Sequence, residues 1–570
     1  MKKASVLLVL FLFVIPLAAA REGSMKLLAV REANNEGSVA DLFLEVKSGT
    51  GRVFIETVPL TKFDTQISTR FAKDIACDYL DRDCSRYDFF YAINADAPII
   101  GGPSAGAAIS VLTAAVLEDV EIDEDVSITG TINSGGVIGP VGGLKAKIEA
   151  ASEANINTVL IPKGERFLKE INLTLDLTDY AKKYNVAVVE AGDLTDALYY
   201  FTGRRFKEDT KDFEVNKEYE NTMRFLAKDL CNRTEKLKKE FAGFEERGLA
   251  EDFTAKKENA DNLSTKGEEA YEKEAYYSAA SFCFGANLKY REILLRLNRY
   301  DDFVLIEKEI SDIDSAVDGV PINTISDLQT YIIVKERIKD ASNYLESAKE
   351  SYGEGEDYEV DLAYAVERIY SAKSWSVFFD IKGREFDFER KSLMQSCMNK
   401  LSEAEERYNY AKLYFPNTLE GSKKELEDAY EDFKNDDYEL CLFKASKVKA
   451  ESDVVLSVVG VAENQIETVL ENKLKIVRNV MAEQQEKGMF PILGYSYYEY
   501  ANQLKEDNKI SALLYTEYAL ELSNLDIYFN HKKKFVAIGD TDGERLMLFL
   551  GGIVIGVMAV FLIKRKKKQK

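Results

Sequence analysis

The sequence has 570 residues, a formal net charge of −23 and a single histidine, His531. Ser-His-Asp and Cys-His catalytic sites need an imidazole beside the nucleophile, and histidine metal sites usually need more than one. A catalytic base in this chain is therefore expected to be Lys, Asp or Glu. The length fits two to four domains, and only nine prolines favour long helices. The acidic balance argues against binding to nucleic acid.

The N-terminal residues 1–20 have the layout of a secretory signal peptide. Lys2 and Lys3 precede an apolar run that ends in three alanines, Ala18–Ala20. An uncleaved N-terminal anchor is the alternative interpretation of the same pattern.

The mixed segment from residue 25 to 202 alternates short β-branched or aromatic runs with helical stretches, which predicts an α/β (α+β) domain. The predicted strands are 26–30, 39–46, 52–57, 89–94, 126–133, 158–161 and 186–190. The predicted helices are 64–80, 104–117, 144–154 and 194–201.

The chemistry of this domain is expected at two Gly-rich segments, of which the first is Gly101–Gly106. Pro103 favours a helix start, so Ser104 should lie in a first turn where backbone N–H groups are unsatisfied. Such a turn can present a hydroxyl beside donors for an oxyanion. A plain capped helix whose small residues permit close packing is the alternative.

The second Gly-rich segment leads into a helix with two lysines, Lys145 and Lys147. Lys147 shares an i, i+3, i+4 stripe with Leu144 and Ile148, whereas Lys145 lies on the solvated face. An inward ammonium should have a lowered pKa, and a neutral lysine can take a proton from a serine hydroxyl. A lysine whose stem covers apolar surface while its charge reaches water is the alternative.

The order of these motifs resembles the proteolytic domain of Lon-type serine proteases. The resemblance rests on Gly102–Gly106, Thr129–Ile132, Gly142–Lys147 and Thr158–Pro162, and it covers about residues 25–202. It implies a Ser104 nucleophile, a Lys147 base and a supporting hydrogen bond from Thr129, without a cofactor or metal. Many relatives place an acidic residue three before the serine, where this chain has Gly101.

The segment from 210 to 540 is rich in Glu, Lys, Ala, Leu and Tyr at helical spacing, which predicts an all-helical region. Gly319-Val-Pro-Ile recurs loosely as Gly488-Met-Phe-Pro-Ile, which suggests two copies of a pair of helical hairpins. The alternative is that helices of this composition simply resemble one another. The region is expected to be a scaffold, a spacer or a substrate-docking surface.

Six cysteines in an exported chain can form disulfides. None has CxxC spacing, so zinc is not expected. Free buried thiols are the alternative to pairing. Proximity along the chain predicts the pairs Cys77 with Cys84, Cys231 with Cys283, and Cys397 with Cys441, the last two lying in the first hairpin of each copy.

The C-terminal residues predict a membrane anchor. Residues 546–563 are apolar over about 18 positions, enough for one crossing, and the basic residues 564–570 should stay in the cytoplasm. The sequence thus predicts a type I single-pass protein of the cell membrane, with its domains outside the cell.

The combined prediction is a membrane-anchored, archaeal-type, Lon-like serine endopeptidase that hydrolyses exported or unfolded polypeptides. No GxxxxGK[ST] phosphate loop occurs in the sequence, so the activity is expected to be independent of ATP. The predicted architecture neither requires nor forbids a homo-oligomer. The alternatives are a non-catalytic cell-surface scaffold and a self-cleaving protein that both retain a Lon-like fold.

Overall fold

The computed structural model describes residues 21–31, 35–58, 60–95, 101–169, 174–207, 213–246, 253–298, 302–416, 419–459 and 461–529. The predicted signal peptide 1–20, the predicted span 546–563 and the basic tail 564–570 lie outside the described residues. Within these ranges, no helix combines the length and the apolar character needed to cross a membrane.

The first layer of the N-terminal domain is a four-stranded mixed sheet. It comprises β1 (Arg21–Val30), β2 (Gly37–Ser48), β3 (Val53–Val58) and β4 (Tyr87–Ala95) in the order β1-β2-β4-β3. β2 pairs antiparallel with β1 and β4, whereas β3 runs parallel to β4. The parallel pairing needs a crossover, which helix α1 (Phe63–Tyr79) supplies between β3 and β4.

The second layer is a three-stranded parallel sheet in the order β11-β8-β5, with a short ribbon beside it. The sheet consists of β5 (Val126–Ile128), β8 (Thr158–Pro162) and β11 (Ala187–Ala191). The ribbon consists of β6 (Thr131–Ile132) and β7 (Ile138–Gly139), and a second ribbon consists of β9 (Phe167–Lys169) and β10 (Thr174–Asp176). The helices are α2 (Gly106–Glu118), α3 (Leu144–Glu153), α4 (Leu177–Ala181) and α5 (Leu194–Thr202). All but the last residue of α2 is buried, because its small and apolar side chains let both sheets pack around it.

The predicted strand 126–133 is wrong in one respect, because it is two strands. β5 ends at Ile128 and β6 begins at Thr131, where it pairs with β7 instead of continuing beside β8. A Cβ at the intervening Gly130 would lie 2.5 Å from Ile138, so the glycine permits this close turn. The predicted helix 104–117 also begins later, because Pro103–Ala105 form a 3₁₀ turn before α2.

The described part of residues 217–523 is mainly helical, as predicted, and contains twelve α-helices in two consecutive runs of six. The first run is α6 (Lys217–Glu245), α7 (Thr254–Glu272), α8 (Tyr276–Asn298), α9 (Phe303–Asp318), α10 (Ile325–Glu354) and α11 (Glu359–Trp375). The second run is α12 (Arg390–Tyr414), α13 (Glu420–Lys434), α14 (Tyr438–Val458), α15 (Ile466–Glu486), α16 (Ile492–Leu504) and α17 (Lys509–Ser523). In both runs the first helix packs along the third, and the third packs against the sixth.

The three predicted disulfides are confirmed. Cys231–Cys283 joins α6 to α8, and Cys397–Cys441 joins α12 to α14. Each bridge therefore links the first and third helices of a run, and the predicted placement within one hairpin is wrong because a further helix lies between the two cysteines. The duplication itself stays a prediction.

The second helical run packs directly on the N-terminal domain, on helix α1 and on the ribbon β6–β7 with its connecting turn. Gly135 has a φ of +68°, and a Cβ there would lie 2.7 Å from Val480. Lys449 donates to Ser134 Oγ at 3.4 Å, and Lys487 pairs with Asp78 at 2.7 Å. The contacts of Gly135 and Ser134 join the helical region to the turn between β6 and β7, and the ion pair of Asp78 joins it to helix α1.

Candidate functional site

Ser104 lies in a short turn whose conformation depends on the two preceding glycines. Gly102 has a φ of +97°, which residues with a Cβ rarely adopt. Its N–H donates to Asp64 Oδ2 at 2.9 Å. Gly101 packs on Lys62, because a Cβ there would lie 2.6 Å from the lysine Cδ. The turn is thus held at the N-terminal end of α1, and Ser104 remains partly exposed.

Two backbone hydrogen bonds tie the Ser104 turn to the residue after Thr129. Gly130 N–H donates to the Ser104 carbonyl at 3.0 Å, and Ala107 N–H donates to the Gly130 carbonyl at 3.1 Å. Thr129 N–H in turn donates to the Leu160 carbonyl on β8 at 3.1 Å. The second sheet therefore positions the Ser104 turn through Gly130.

Lys147 lies on the buried face of α3, as the helical spacing predicts. Its side chain is 3% exposed, alongside the buried Leu144 and Ile148. Lys147 Nζ donates to Thr129 Oγ1 at 2.9 Å. Its charged end is buried with its stem, so the alternative of a lysine that reaches water is wrong.

The three residues predicted for the site are connected to one another in the structure. Thr129 and Lys147 are in direct contact, and Gly130 connects Thr129 to the Ser104 turn. Ser104 Oγ and Lys147 Nζ do not hydrogen-bond to each other in the structure. Such contacts are often long before substrate binds.

The environment of Lys147 changes its protonation. Burial lowers the pKa of the ammonium to about 8, although the carboxyl of Glu165 acts in the opposite direction. A substantial fraction of Lys147 is therefore neutral in mildly alkaline solution, where an ordinary lysine is almost fully charged.

Glu165 is a site residue that sequence reasoning missed. It is 7% exposed, lies in the turn between β8 and β9, and accepts a hydrogen bond from Val141 N–H at 3.4 Å. Burial raises its pKa to about 8, while Lys147 acts to lower it. No periodicity marks Glu165, because a glutamate after the turn residue Gly164 looks like a surface residue in the sequence.

Position 101 is a glycine instead of an acidic residue, but two carboxyl groups from elsewhere in the domain act on the site. Asp64 accepts a hydrogen bond from the backbone of Gly102, and the charge of Glu165 acts on Lys147. Both carboxyl groups come from outside the Gly101–Gly106 segment. The acidic support of the site is therefore supplied by tertiary contacts.

Comparison with known proteins identifies the domain that carries this geometry. Residues 87–186 match the family described as the Lon protease (S16) C-terminal proteolytic domain. Ser104, Thr129, Lys147 and Glu165 all lie within the matched residues.

Individual relatives show the same local similarity. An archaeal Lon protease of Thermococcus kodakarensis is 33% identical over 112 residues, which are 20% of this chain and 17% of that protein. A Lon protease of Campylobacter jejuni is 38% identical over 101 residues, or 17% of this chain and 12% of the relative. Lon protease 1 of Hydrogenovibrio crunogenus is 47% identical over 72 residues, which are 12% of this chain and 9% of that protein. The chain thus matches less than a fifth of each of these relatives, and residues 87–186 are a Lon-type proteolytic domain.

Proposed function

We propose that this protein is a serine endopeptidase of Lon type that hydrolyses peptide bonds through Ser104 and Lys147. The observation that carries the proposal is the buried Lys147 amine, held by Thr129 and connected to the partly exposed Ser104 turn. A base with a pKa of about 8 suits proton transfer near physiological pH.

In the first half of the reaction, neutral Lys147 takes the hydroxyl proton of Ser104, and Oγ attacks the peptide carbonyl carbon. The carbon–nitrogen bond then breaks, and Lys147 returns the proton to the leaving amine. In the second half, Lys147 deprotonates a water that attacks the ester, and Ser104 leaves with that proton. The dyad ends the cycle in the state in which it began.

The charge that develops on the carbonyl oxygen needs hydrogen-bond donors. The first turn of the helical segment that begins at Pro103 offers backbone N–H groups, including that of Ser104. They lie in the 3₁₀ turn before α2, where the helix dipole favours negative charge. We assign them to oxyanion stabilisation.

The proposal places the enzyme at the cell membrane, as a single-pass type I protein whose catalytic and helical regions are extracellular. The apolar residues 546–563 and the basic residues 564–570 support this topology. Hydrolysis is proposed to be independent of ATP, because the sequence has no phosphate-loop motif. Substrates are proposed to be exported or unfolded polypeptides, which can reach Ser104 without mechanical unfolding. Assembly of several copies is compatible with this arrangement.

Labelling and hydrolysis assays test the activity directly. The purified full-length protein should react covalently with a small fluorophosphonate and should cleave an unfolded protein, whereas Ser104→Ala should do neither. Labelling of the wild-type protein without cleavage in trans, together with an N-terminus deep inside the chain, would favour self-cleavage. Absence of both labelling and cleavage would favour the scaffold alternative.

Thr129→Val tests the hydrogen bond that supports the base. Valine keeps the shape of Thr129 but removes the acceptor of the Lys147 amine, so kcat should fall by about tenfold to a hundredfold. Steady-state hydrolysis of a fluorogenic peptide measures the change.

Thr131→Val is the matched control, because Thr131 Oγ1 is buried without a hydrogen-bond partner in the described residues. Its kcat should be close to that of the wild type. An equal loss in both variants would contradict a specific role of the Thr129 hydroxyl.

A further inference from the structure

Three consecutive residues before helix α3 connect the catalytic lysine to its surroundings. Val141 N–H donates to Glu165 Oε2 at 3.4 Å, and the Gly143 carbonyl accepts from the Lys147 N–H at 3.0 Å. Gly143 has a φ of +73°, which residues with a Cβ rarely adopt. This junction loop, residues 141–143, therefore links Glu165 to the first turn of the helix that carries Lys147.

The middle residue of the junction loop is held by helix α12, which lies outside the matched Lon-type residues. Gly142 N–H donates to Tyr410 Oη at 3.4 Å. A Cβ at Gly142 would lie 2.6 Å from Tyr414 Oη, so a second phenol packs on the same residue. Burial raises the pKa of the Tyr410 phenol above its ordinary value, and the charge of Glu165 acts in the same direction. The Tyr410 hydroxyl therefore lies against the loop and within the electrostatic influence of Glu165.

The helical region also holds the turn that carries Glu165. Gly164 has a φ of +96°, and a Cβ there would lie 2.5 Å from Val469 Cγ2 on α15. Lys163 Nζ donates to Asn472 Oδ1 of the same helix at 3.2 Å. The second helical run therefore contacts both the junction loop and the turn that carries Glu165.

We propose that Tyr410 is a positioning residue for the catalytic base: by holding the junction loop, it keeps Lys147 and Glu165 shielded from water and makes the helical region part of the active site. The inference rests on the proposed function, in which Lys147 deprotonates Ser104. It gives the helical region a role in catalysis that does not require contact with substrate.

Loss of this shielding has a defined electrostatic consequence. Burial is the largest cause of the lowered pKa of Lys147, so a loop that admits water should raise that pKa. Water should also favour the charged form of Glu165, whose pKa is raised by burial, and a carboxylate there raises the pKa of Lys147 further. Glu190, on β11, also acts on Glu165 and favours its neutral form. Both consequences of water entry thus move the pKa of Lys147 upward.

Tyr410→Phe tests the positioning role, because it keeps the ring and removes the acceptor of the Gly142 N–H. Arg407, on the same helix, still donates to the Ile132 carbonyl at 3.3 Å, so the helical region should stay docked. The pH midpoint of kcat/KM for a fluorogenic peptide should rise by about one unit. At pH 7, kcat/KM should therefore fall by about tenfold, and it should recover at pH 10. Loss of packing alone would lower the thermal unfolding temperature without moving the midpoint.

The protonation of Lys147 can also be measured without catalysis. Full-length protein carrying Ser104→Ala, with and without Tyr410→Phe, is acetylated at trace levels by acetic anhydride over a range of pH. Mass spectrometry then gives the acetylation rate of Lys147, which follows the fraction of neutral amine. The midpoint of this rate should rise by about one unit with Tyr410→Phe. Acetylation of Lys145, on the other face of α3, should be the same in both proteins.

Tyr430→Phe is the matched control. The Tyr430 hydroxyl donates to Glu405 within the second helical run, so this substitution removes a tyrosine hydroxyl that does not contact the junction loop. Its kcat/KM and pH midpoint should equal those of the wild type. Thermal unfolding of each variant, followed by circular dichroism, checks that the fold is retained.

An unchanged midpoint in Tyr410→Phe, by either measurement, or an equal shift in Tyr430→Phe would overturn the inference. Failure of the proposed function is recognised separately, because the wild-type protein would then cleave no peptide. The acetylation midpoint of Lys147 would still report whether Tyr410 shields the amine.

Discussion

Replacing Lys147 with methionine should lower kcat/KM for peptide hydrolysis by about a thousandfold or more. Methionine has a similar length and fits an apolar environment, but it cannot accept a proton from Ser104. Thr129, the present hydrogen-bond partner of the amine, would remain in place. Hydrolysis of a fluorogenic peptide by wild-type and variant protein measures the loss.

The pH dependence of the wild-type enzyme follows from the same lysine. With a pKa of about 8, about one tenth of Lys147 is neutral at pH 7, compared with about three parts in ten thousand for an unshifted lysine. Because the neutral amine is the active form, kcat/KM should rise about tenfold between pH 7 and pH 9 and then level off. A profile that falls over this range would contradict Lys147 as the base.

Lys145→Met is the matched control for this substitution. Lys145 lies on the other face of α3, where its Nζ is 5.5 Å from the centre of the Tyr180 ring. It should retain activity and the same pH profile. Comparable losses in both variants would indicate damage to α3 rather than removal of a base.

The part of this site that could be predicted from sequence is the part set by local geometry. The 3.6-residue period places Lys147 on the same helix face as Leu144 and Ile148. A helix that buries these two apolar side chains therefore also buries the lysine. The position of Ser104 was likewise evident, because Gly-Pro before a run of small residues specifies a turn that enters a helix. Chain proximity was sufficient for the disulfides.

The remaining features depend on tertiary contacts that no local pattern encodes. Val126 to Asn133 reads as one strand, yet Gly130 must turn there because Ile138 and the Ser104 turn approach it closely. Glu165 acquires its role only because the β8–β9 turn folds beside Lys147. The approach of α12 to Gly142 joins residues 268 positions apart, beyond the reach of any periodicity argument.

The second large effect is expected at Glu521, in a buried ionic cluster that links three helices of the second run. On α17, Glu521 accepts hydrogen bonds from Lys400 of α12 at 2.8 Å and from Lys449 of α14 at 2.5 Å. All three side chains are almost fully buried. Glu403 adds a second carboxylate 3.2 Å from Lys400, and Lys449 also donates to Ser134. The cluster therefore joins the helical region to the catalytic domain.

Glu521→Gln should destabilise the protein by about 3–5 kcal/mol, because it leaves two buried ammonium groups short of negative charge. The substitution keeps the shape of the side chain, so the loss reports charge rather than packing. Urea denaturation monitored by circular dichroism should show an earlier unfolding transition in the variant. Glu467→Gln, which removes the exposed partner of Lys509, should leave the transition unchanged.

The acid sensitivity of the protein provides an independent check of the same cluster. Burial alone would raise the pKa of Glu521, but Lys400 and Lys449 lower it to about 2. Since the folded-state pKa is depressed, the stabilisation is present above about pH 4.5 and is lost as the pH falls towards 2. Over that interval the unfolding free energy of the wild type should fall by about 3 kcal/mol because of Glu521. Glu521→Gln lacks this carboxyl group, so the unfolding free energies of the two proteins should converge. A constant difference between the two proteins from pH 5 to pH 2.5 would mean that the charge of Glu521 is not the source of its effect.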